Sequence, residues 1–324
     1  MSSDKSKGLK SAIRPFIPEG ILQYRNKRIR RKSVQLKARS AGLTVIERDV
    51  FFDLMKNGDV LRIKRDHEIY LEHMIENFDY YIASVIPVRV NDTNLVDMSG
   101  PRYHRLRGFS DIPFLFPSHT EPYATTAEYL DFADLEEGET VLDIGAYAGI
   151  TSIIFAQLVG PSGRVYAFEA DKVNYECALS NIEMAERVLG LKNITLINKA
   201  IWSDSDGLLF SNEGAMGSSA VSITGADRGN VQCIPSIRLE DFFAEQKLTH
   251  ADFIKIDIEG CEVEVLEASA RFLKTIQAKL IIEPHLVNGV LSTDRCYRYL
   301  VDAGFHVRVR EKVGESEPLI EAVS

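Results

Sequence analysis

The run Val141-Leu142-Asp143-Ile144-Gly145-Ala146-Tyr147-Ala148-Gly149 constrains this chain most, because few folds accommodate it. An apolar strand ends at Asp143-Ile144, a glycine turn follows, and helical spacing resumes after Gly149. A second apolar strand, Val165-Tyr166-Ala167-Phe168, then ends in the carboxylate of Glu169. In an α/β sheet that order sets a turn and an acid at the carboxyl ends of neighbouring strands, where a ribose is held. The chain is therefore expected to take an adenosine-containing molecule.

The glycine spacing narrows which one. Dinucleotide sites carry Gly-x-Gly-x-x-Gly, whose second glycine lets the backbone approach a pyrophosphate. Here the spacing is Gly-x-x-x-Gly, with Tyr147 inside the turn and Asp143 before it. Such a turn suits a cofactor without phosphates, and Asp143 is available for a cationic amino-acid end. S-adenosylmethionine has those properties, and Glu169 would accept from both ribose hydroxyls. Asp-x-Gly at a strand end is also the composition of an ordinary turn, so the flanking strands and Glu169 carry the reading.

From residue 139 onward, strand and helix patterns alternate. Strands are predicted at 140–144, 164–168, 193–198, 252–257, 279–283, 304–310 and 317–323. Helices are predicted at 149–159, 172–187, 240–247, 261–273 and 292–303. This rhythm predicts an α/β fold: a seven-stranded, mostly parallel sheet with helices on both faces and ligands at the strands' carboxyl ends. An insertion breaks it, with short strands at Leu208–Phe210 and Val231–Pro235 around a small, polar, glycine-rich loop.

Ahead of this domain, residues 1–40 read as a basic arm and 41–122 as an accessory α+β region; residues 123–324 hold the cofactor domain. Residues 1–39 carry twelve Lys or Arg against Asp4 and Glu19. That is a local charge of +10 in a chain of net charge −9, leaving about −19 on the remainder. The basic cluster lies beside Phe16, Ile17, Ile21, Leu22 and Tyr24, so residues 14–32 have the composition of a segment lying on an anionic membrane face. A solvated arm has the same composition. Nucleic acid is a weaker expectation, and homo-oligomerisation is left open. Leu61-Arg62-Ile63 is expected as a strand, residues 68–81 as a helix, 97–122 as loop and 128–132 as a short helix. No apolar run approaches the roughly 20 residues needed to span a bilayer, and no secretory signal pattern starts the chain. Cys177, Cys233, Cys261 and Cys296 form no Cys-x-x-Cys pair and suit reduced cytosolic thiols. The expected location is the cytoplasm, with the inner membrane face as the site of any peripheral contact.

Two further strands end in titratable groups. Ile254-Lys255-Ile256-Asp257-Ile258-Glu259-Gly260 puts its isoleucines on one face and Lys255 and Asp257 on the other. Charges inside a buried strand are costly unless paired or used, so they are either a structural pair or the polar floor of a site. Leu280-Ile281-Ile282-Glu283-Pro284-His285 ends in Glu283 and His285. His285 titrates near neutral pH and is a candidate general base. No compact ligand spacing supports a metal, and none is expected. Asp204-Ser205-Asp206-Gly207 lacks the later ligands of a calcium loop and reads as a turn.

Together, Asp143-Ile144-Gly145-Ala146 with Gly149, Ala167-Phe168-Glu169, Gly217-Ser218-Ser219, Ile237-Arg238-Leu239-Glu240-Asp241, Ile254 to Gly260 and Ile282-Glu283-Pro284-His285 resemble the FkbM-type S-adenosylmethionine-dependent methyltransferases over residues 140–287. The resemblance implies a class I (Rossmann-like) methyltransferase fold and O-methylation of a small-molecule or glycan hydroxyl. It implies cofactor contacts at Asp143, Gly145, Ala146, Tyr147, Gly149 and Glu169, to which Ala170, Ala200 and Asp257 are added. It directs functional interest to Lys255, Asp257, Glu259 and His285, with Gly217, Ser218, Ser219 and Glu283 toward the acceptor. Tyr147 departs from the small polar residue the family usually has there. The rival readings are a nicotinamide-dependent oxidoreductase and a non-catalytic membrane or nucleic-acid adaptor built on the basic arm.

Overall fold

A computed structural model describes residues 31–211, 219–220, 231–311 and 318–324. Its larger half is built on a seven-stranded sheet. The strands are β9 (Thr140–Ile144), β10 (Arg164–Phe168), β11 (Ile194–Ile197), β12 (Phe253–Ile256), β13 (Lys279–Ile282), β14 (His306–Arg310) and β15 (Leu319–Val323), numbered after eight strands of the N-terminal region. Their order is β11-β10-β9-β12-β13-β15-β14. The first five are parallel, while β15 runs antiparallel to both β13 and β14. Strands β9, β10 and β12 are covered on both faces, so their side chains are almost all buried and read as continuous apolar runs. The expected alternation therefore becomes a class I sheet, with strand limits within two residues of those read from sequence.

Five helices of this half match expectation closely: α5 (Ile150–Leu158), α6 (Lys172–Leu189), α7 (Leu239–Gln246), α8 (Glu262–Leu273) and α9 (Thr293–Ala303). Helix α6 starts where buried Asp171 accepts from the Val173 and Asn174 amides, and it stops at Gly190 in the left-handed region. In the insertion, Leu208–Ser211 pairs antiparallel with Val231–Ile234 and with Ser219–Ala220.

The N-terminal region is more ordered than its composition suggests. Residues 31–40, expected as part of a solvated arm, form helix α1, and Val34 and Ala38 are buried. One sheet contains β1 (Thr44–Glu47), β2 (Phe51–Lys56), β3 (Asp59–Lys64), β5 (Val88–Val90) and β6 (Thr93–Met98). Its register sets Arg62 across from Asp53 and from Asp97, and Arg62 reaches Asp53 at 2.7 Å. The predicted helix over 68–81 is broken at Asn77 into α2 (Leu71–Glu76) and α3 (Phe78–Ser84). The expected loop over 97–122 is corrected. It contains β7 (Arg102–Leu106) and β8 (Phe109–Phe116), with β7 pairing antiparallel both to β8 and to β4 (Val85–Ile86). Three charged or polar residues of β7 face out while His104 and Leu106 face in, and Pro113 is tolerated because β8 is an edge strand. Those features hide strands from a composition reading.

Both regions share one core. Leu54, Leu61, Phe78, Tyr81, Phe114 and Phe116 pack in the same cluster as Ile150 and Ile153 of α5 and Ile182 and Ala185 of α6. Asn181, fully buried on α6, bolts them together. It accepts from the Leu115 amide at 2.6 Å and donates to Leu115 O at 2.9 Å and Ala148 O at 2.8 Å. An unpaired buried backbone group costs about 1–3 kcal/mol. Asn181→Leu strands three such groups and is expected to lower unfolding free energy by about 3 kcal/mol or more, measured as a lower urea midpoint with unchanged slope.

Candidate active site

The turn after β9 is held by its neighbours. The Gly145 and Ala146 amides both donate to Phe168 O at the end of β10. Gly145 has φ +89, and a Cβ there would lie 1.8 Å from the Asp257 carbonyl oxygen. Tyr147 is also left-handed, with φ +50, at a cost on the order of 1 kcal/mol. Its hydroxyl donates to His119 O at 2.7 Å and accepts from Thr120 Oγ1 at 3.2 Å, which ties the turn to the N-terminal region. The departure from the family residue thus has a structural partner.

Glu169 sits where β10 ends. One carboxylate oxygen accepts from the Tyr147 amide at 2.7 Å and the other from the Asp171 amide at 2.8 Å. Each oxygen keeps a lone pair, and the group lines the pocket although only 7% exposed. Burial, then the nearby Asp171 charge, pushes its carboxyl up to about 8. A pair of hydroxyl donors from a ribose fits those free lone pairs.

The floor is set by sheet register. Lys255 on β12 lies opposite Asp143 on β9. The two are 3% and 0% exposed at their side chains and 3.1 Å apart. The Lys255 ammonium also donates to Gly145 O at 2.5 Å and stands 3.5 Å from Asp257 Oδ2. Burial alone would lower the Lys255 pKa, but the charges of Asp143 and Asp257 raise it. Asp143 further accepts from Ser152 at 2.5 Å.

Beyond the floor, Asp257 Oδ1 lies 3.6 Å from His285 Nε2, and Glu259 Oε1 lies 3.8 Å from the same nitrogen. His285 Nδ1 is 2.9 Å from Glu262 Oε1, which also accepts from the Ile258 and Gly260 amides. Burial opposes charge on the imidazole, yet Glu259, Glu262 and Asp257 hold it well above its ordinary range. His285 thus favours its protonated form beside these carboxyl groups, while burial pushes the Glu259 carboxyl up to about 8. Donor atoms of Asp257, Glu259 and His285 all lie within 4.8 Å of one another, a compactness that chain spacing did not reveal. Tyr129 of α4 (Ala124–Ala133) reaches the cluster from another side. Its hydroxyl is 2.6 Å from Glu283 Oε2 and 3.1 Å from Asp257 Oδ2.

These groups surround a pocket of about 1080 Å3, open solvent included. Among the expected residues, Gly145, Ala146, Tyr147, Glu169, Ala170, Ala200, Lys255, Asp257 and Glu259 line it. Asp143, Gly149, Glu283 and His285 are not among the lining residues. Asp143 is fully buried, with its charge engaged by Lys255 and Ser152. Gly149 instead precedes α5 with φ +78. His285 lies within 3.8 Å of Asp257 and Glu259, which do line the pocket. Ser219 lies in the short strand Ser219–Ala220, and Gly217 and Ser218 fall outside the described residues. The flanking strand supplies Leu208 and Phe210 to the wall.

Sequence reasoning missed Tyr129, Glu262, Trp202 and the wall formed by Thr120, Glu121, Thr125 and Thr126. Glu121 accepts from the Tyr123, Ala124 and Thr125 amides at the start of α4, and Tyr80 donates to it as well. Only the position of loop 97–122 directly before the domain hinted at this wall. Gly145→Ala forces the overlap with Asp257 O and is expected to cost about 4 kcal/mol or more, read as lost solubility or a collapsed thermal midpoint.

Residues 143–307 match the family described as the methyltransferase FkbM domain. The chain is similar to a protein-L-isoaspartate O-methyltransferase of Methanothrix thermoacetophila, at 39% identity over 67 residues that cover 21% of this chain and 30% of the relative. A protein of the same description from Aeropyrum pernix is 46% identical over 54 residues, covering 17% of this chain and 21% of the relative. The chain thus spans less than a third of the length of either curated relative. A solved FkbM methyltransferase from Methylobacillus flagellatus is 16% identical, with 58% of this chain and 44% of that chain covered and a TM-score of 0.43. An O-methyltransferase from Bacillus cereus solved with SAH is 16% identical, with 64% and 84% covered and a TM-score of 0.42. The family match spans just over half of the residues, and the chain belongs to the methyltransferase FkbM domain family.

Proposed function

We propose that this protein is an S-adenosylmethionine-dependent methyltransferase acting on a hydroxyl of a sugar, glycan or other small acceptor. The observation that carries this reading is the pocket's two-sided chemistry. Glu169 and the Gly145–Ala148 turn form a nucleoside-binding side, and Lys255, Asp257, Glu259 and Tyr129 form an acidic, proton-handling side. Bound S-adenosylmethionine supplies an electrophilic methyl group on a good leaving group. The residues supply position, exclusion of water and a proton acceptor.

Glu169 would hold the ribose, with Ala170 and Ala200 beside it. Asp257 is the base of this reading, since it lines the pocket and His285 does not. His285 and Lys255 orient the Asp257 carboxylate from either side, and Glu259 completes the floor. The glycan preference and O-methylation come from the family resemblance together with the acidic wall. A lipid-linked acceptor would use the basic residues 14–32, of which 14–30 lie outside the described residues, to stay near an anionic membrane face. Among the described residues no helix is long and apolar enough to cross a membrane.

Purified protein given methyl-labelled S-adenosylmethionine and extract fractions of glycan, lipid and small-metabolite pools is expected to label a hydroxyl-bearing fraction. Labelling of none of them, or calorimetric binding of NAD in place of S-adenosylhomocysteine, would refute the reading. On the labelled fraction, Asp257→Asn is expected to lower kcat by about 100- to 10,000-fold, whereas His285→Gln keeps more activity because it removes only a neighbour of the base.

Ribose hydroxyls donate best to an ionised Glu169. Its carboxyl is held at about 8 in the free protein, so binding below that pH must expel a proton. S-adenosylhomocysteine affinity is expected to rise by up to about tenfold per pH unit toward pH 8 and level off above it. Calorimetry across that range on wild type and Glu169→Gln checks this, with the variant weaker and flat.

A further inference from the structure

Tyr129 lies at the meeting point of two carboxylates that belong to different strands' ends. It is 1% exposed, and its ring packs with Phe155, Val141, Phe253 and Ile281. Its single hydroxyl faces Glu283 Oε2 at 2.6 Å and Asp257 Oδ2 at 3.1 Å. A phenol has one proton to give and a lone pair to receive with. Two hydrogen-bond slots therefore meet at an oxygen that can fill only one of them as donor. With both acids ionised, the proton goes to the closer Glu283, and the Tyr129 oxygen presents lone pairs to Asp257 Oδ2. Burial and the charges of Asp257 and Glu283 keep the phenol from ionising in place of this exchange. The empty slot between Asp257 and Tyr129 takes one proton without any movement.

We propose that Tyr129 is a positioning residue that makes Asp257 a proton acceptor, so that Asp257, Tyr129 and Glu283 act as one proton-holding unit. This rests on the methyl-transfer reading above. As the acceptor oxygen forms its bond to the methyl carbon and the carbon–sulfur bond breaks, the hydroxyl O–H bond also breaks. Its electrons stay on oxygen, and its proton goes to Asp257. With that proton on Oδ2, Asp257 donates to the Tyr129 oxygen while Tyr129 donates to Glu283. Both slots are then filled, and each bond polarises the next. The neutral sulfur product and the methyl ether leave, and Asp257 returns the proton to water through the pocket it lines.

The groups facing Asp257 fit this role. Lys255 stands 3.5 Å from the same oxygen and offsets the ionised state before the proton arrives. His285 faces the other oxygen at 3.6 Å and is itself committed to Glu262 and close to Glu259. Asp143 balances Lys255 from behind. Of these neighbours, Tyr129 has the atom placed to accept from a protonated Asp257 Oδ2. Removing that acceptor destabilises the protonated acid and makes Asp257 a weaker base.

The test is Tyr129→Phe, which keeps the ring and removes the bridge. S-adenosylhomocysteine affinity by calorimetry is expected to stay within about twofold. On the extract fraction that wild type labels, kcat should fall by about 10- to 100-fold with KM little changed. The acid limb of the kcat profile should move down by about one pH unit. An unmoved limb, or full kcat, overturns the proposal. Glu283→Gln serves as the second variant and should lower kcat in the same range; full activity there also overturns it. Infrared titration of the carboxyl C=O band in the S-adenosylhomocysteine complex needs no acceptor. Wild type should gain its protonated-acid band at higher pH than Tyr129→Phe, and coincident titrations reject the unit. If wild type labels no fraction while these titrations differ, the methyl-transfer reading has failed and the shared proton has not.

Discussion

The ion pair of Lys255 and Asp143 inside the sheet is what the rest of this site depends on. Two charges removed from water are tolerable only when each meets the other at good geometry. Here adjacent parallel strands put them opposite one another, and the ammonium spends its remaining donors on Gly145 O and toward Asp257. The pair therefore joins three things at once: the central strands, the glycine turn and Asp257. A register slip of one residue in either strand would turn its charge to the opposite, apolar face and part the pair. The charged residues that look most out of place in a buried strand thus specify how that strand lies.

Around this pair some side chains line the pocket and others brace them from behind. Glu169 and Asp257 are at the wall. Asp143, His285 and Glu262 stand one layer back and act by charge. Such layering lets burial push one carboxyl upward while neighbouring carboxyl groups shift an imidazole upward, although both lie within the same few strand ends.

Much of this was legible in the sequence. Strands β9, β10 and β12 are apolar because helices cover both faces, and so their limits were readable. Residues just past those strands were readable as pocket-lining, because the crevice of a parallel sheet opens at that edge. Other features depend on contacts between distant segments. Tyr129 sits on a helix 128 residues before Asp257, and nothing in its local pattern distinguishes it from a core tyrosine. Asn181 looks like any polar residue of an amphipathic helix until Leu115 and Ala148 are placed beside it. Strands β7 and β8 were hidden by outward-facing arginines and an edge proline. The partner of Asp143, Lys255, lies 112 positions away and only the register joins them.

The core shared by the N-terminal region and helices α5 and α6 has a consequence for modularity. A glycine turn of this type looks like a portable cassette, a strand and helix that could be moved between proteins with its cofactor. Here Ile150, Ile153 and Ile182 on those helices are roofed by residues from the first 120 positions, and the turn's own tyrosine is fastened to His119. Cutting or exchanging the chain near residue 123 would open an apolar seam on each piece. The unit that can be transplanted is the turn together with its roof, so recombination between relatives would have to carry both or neither.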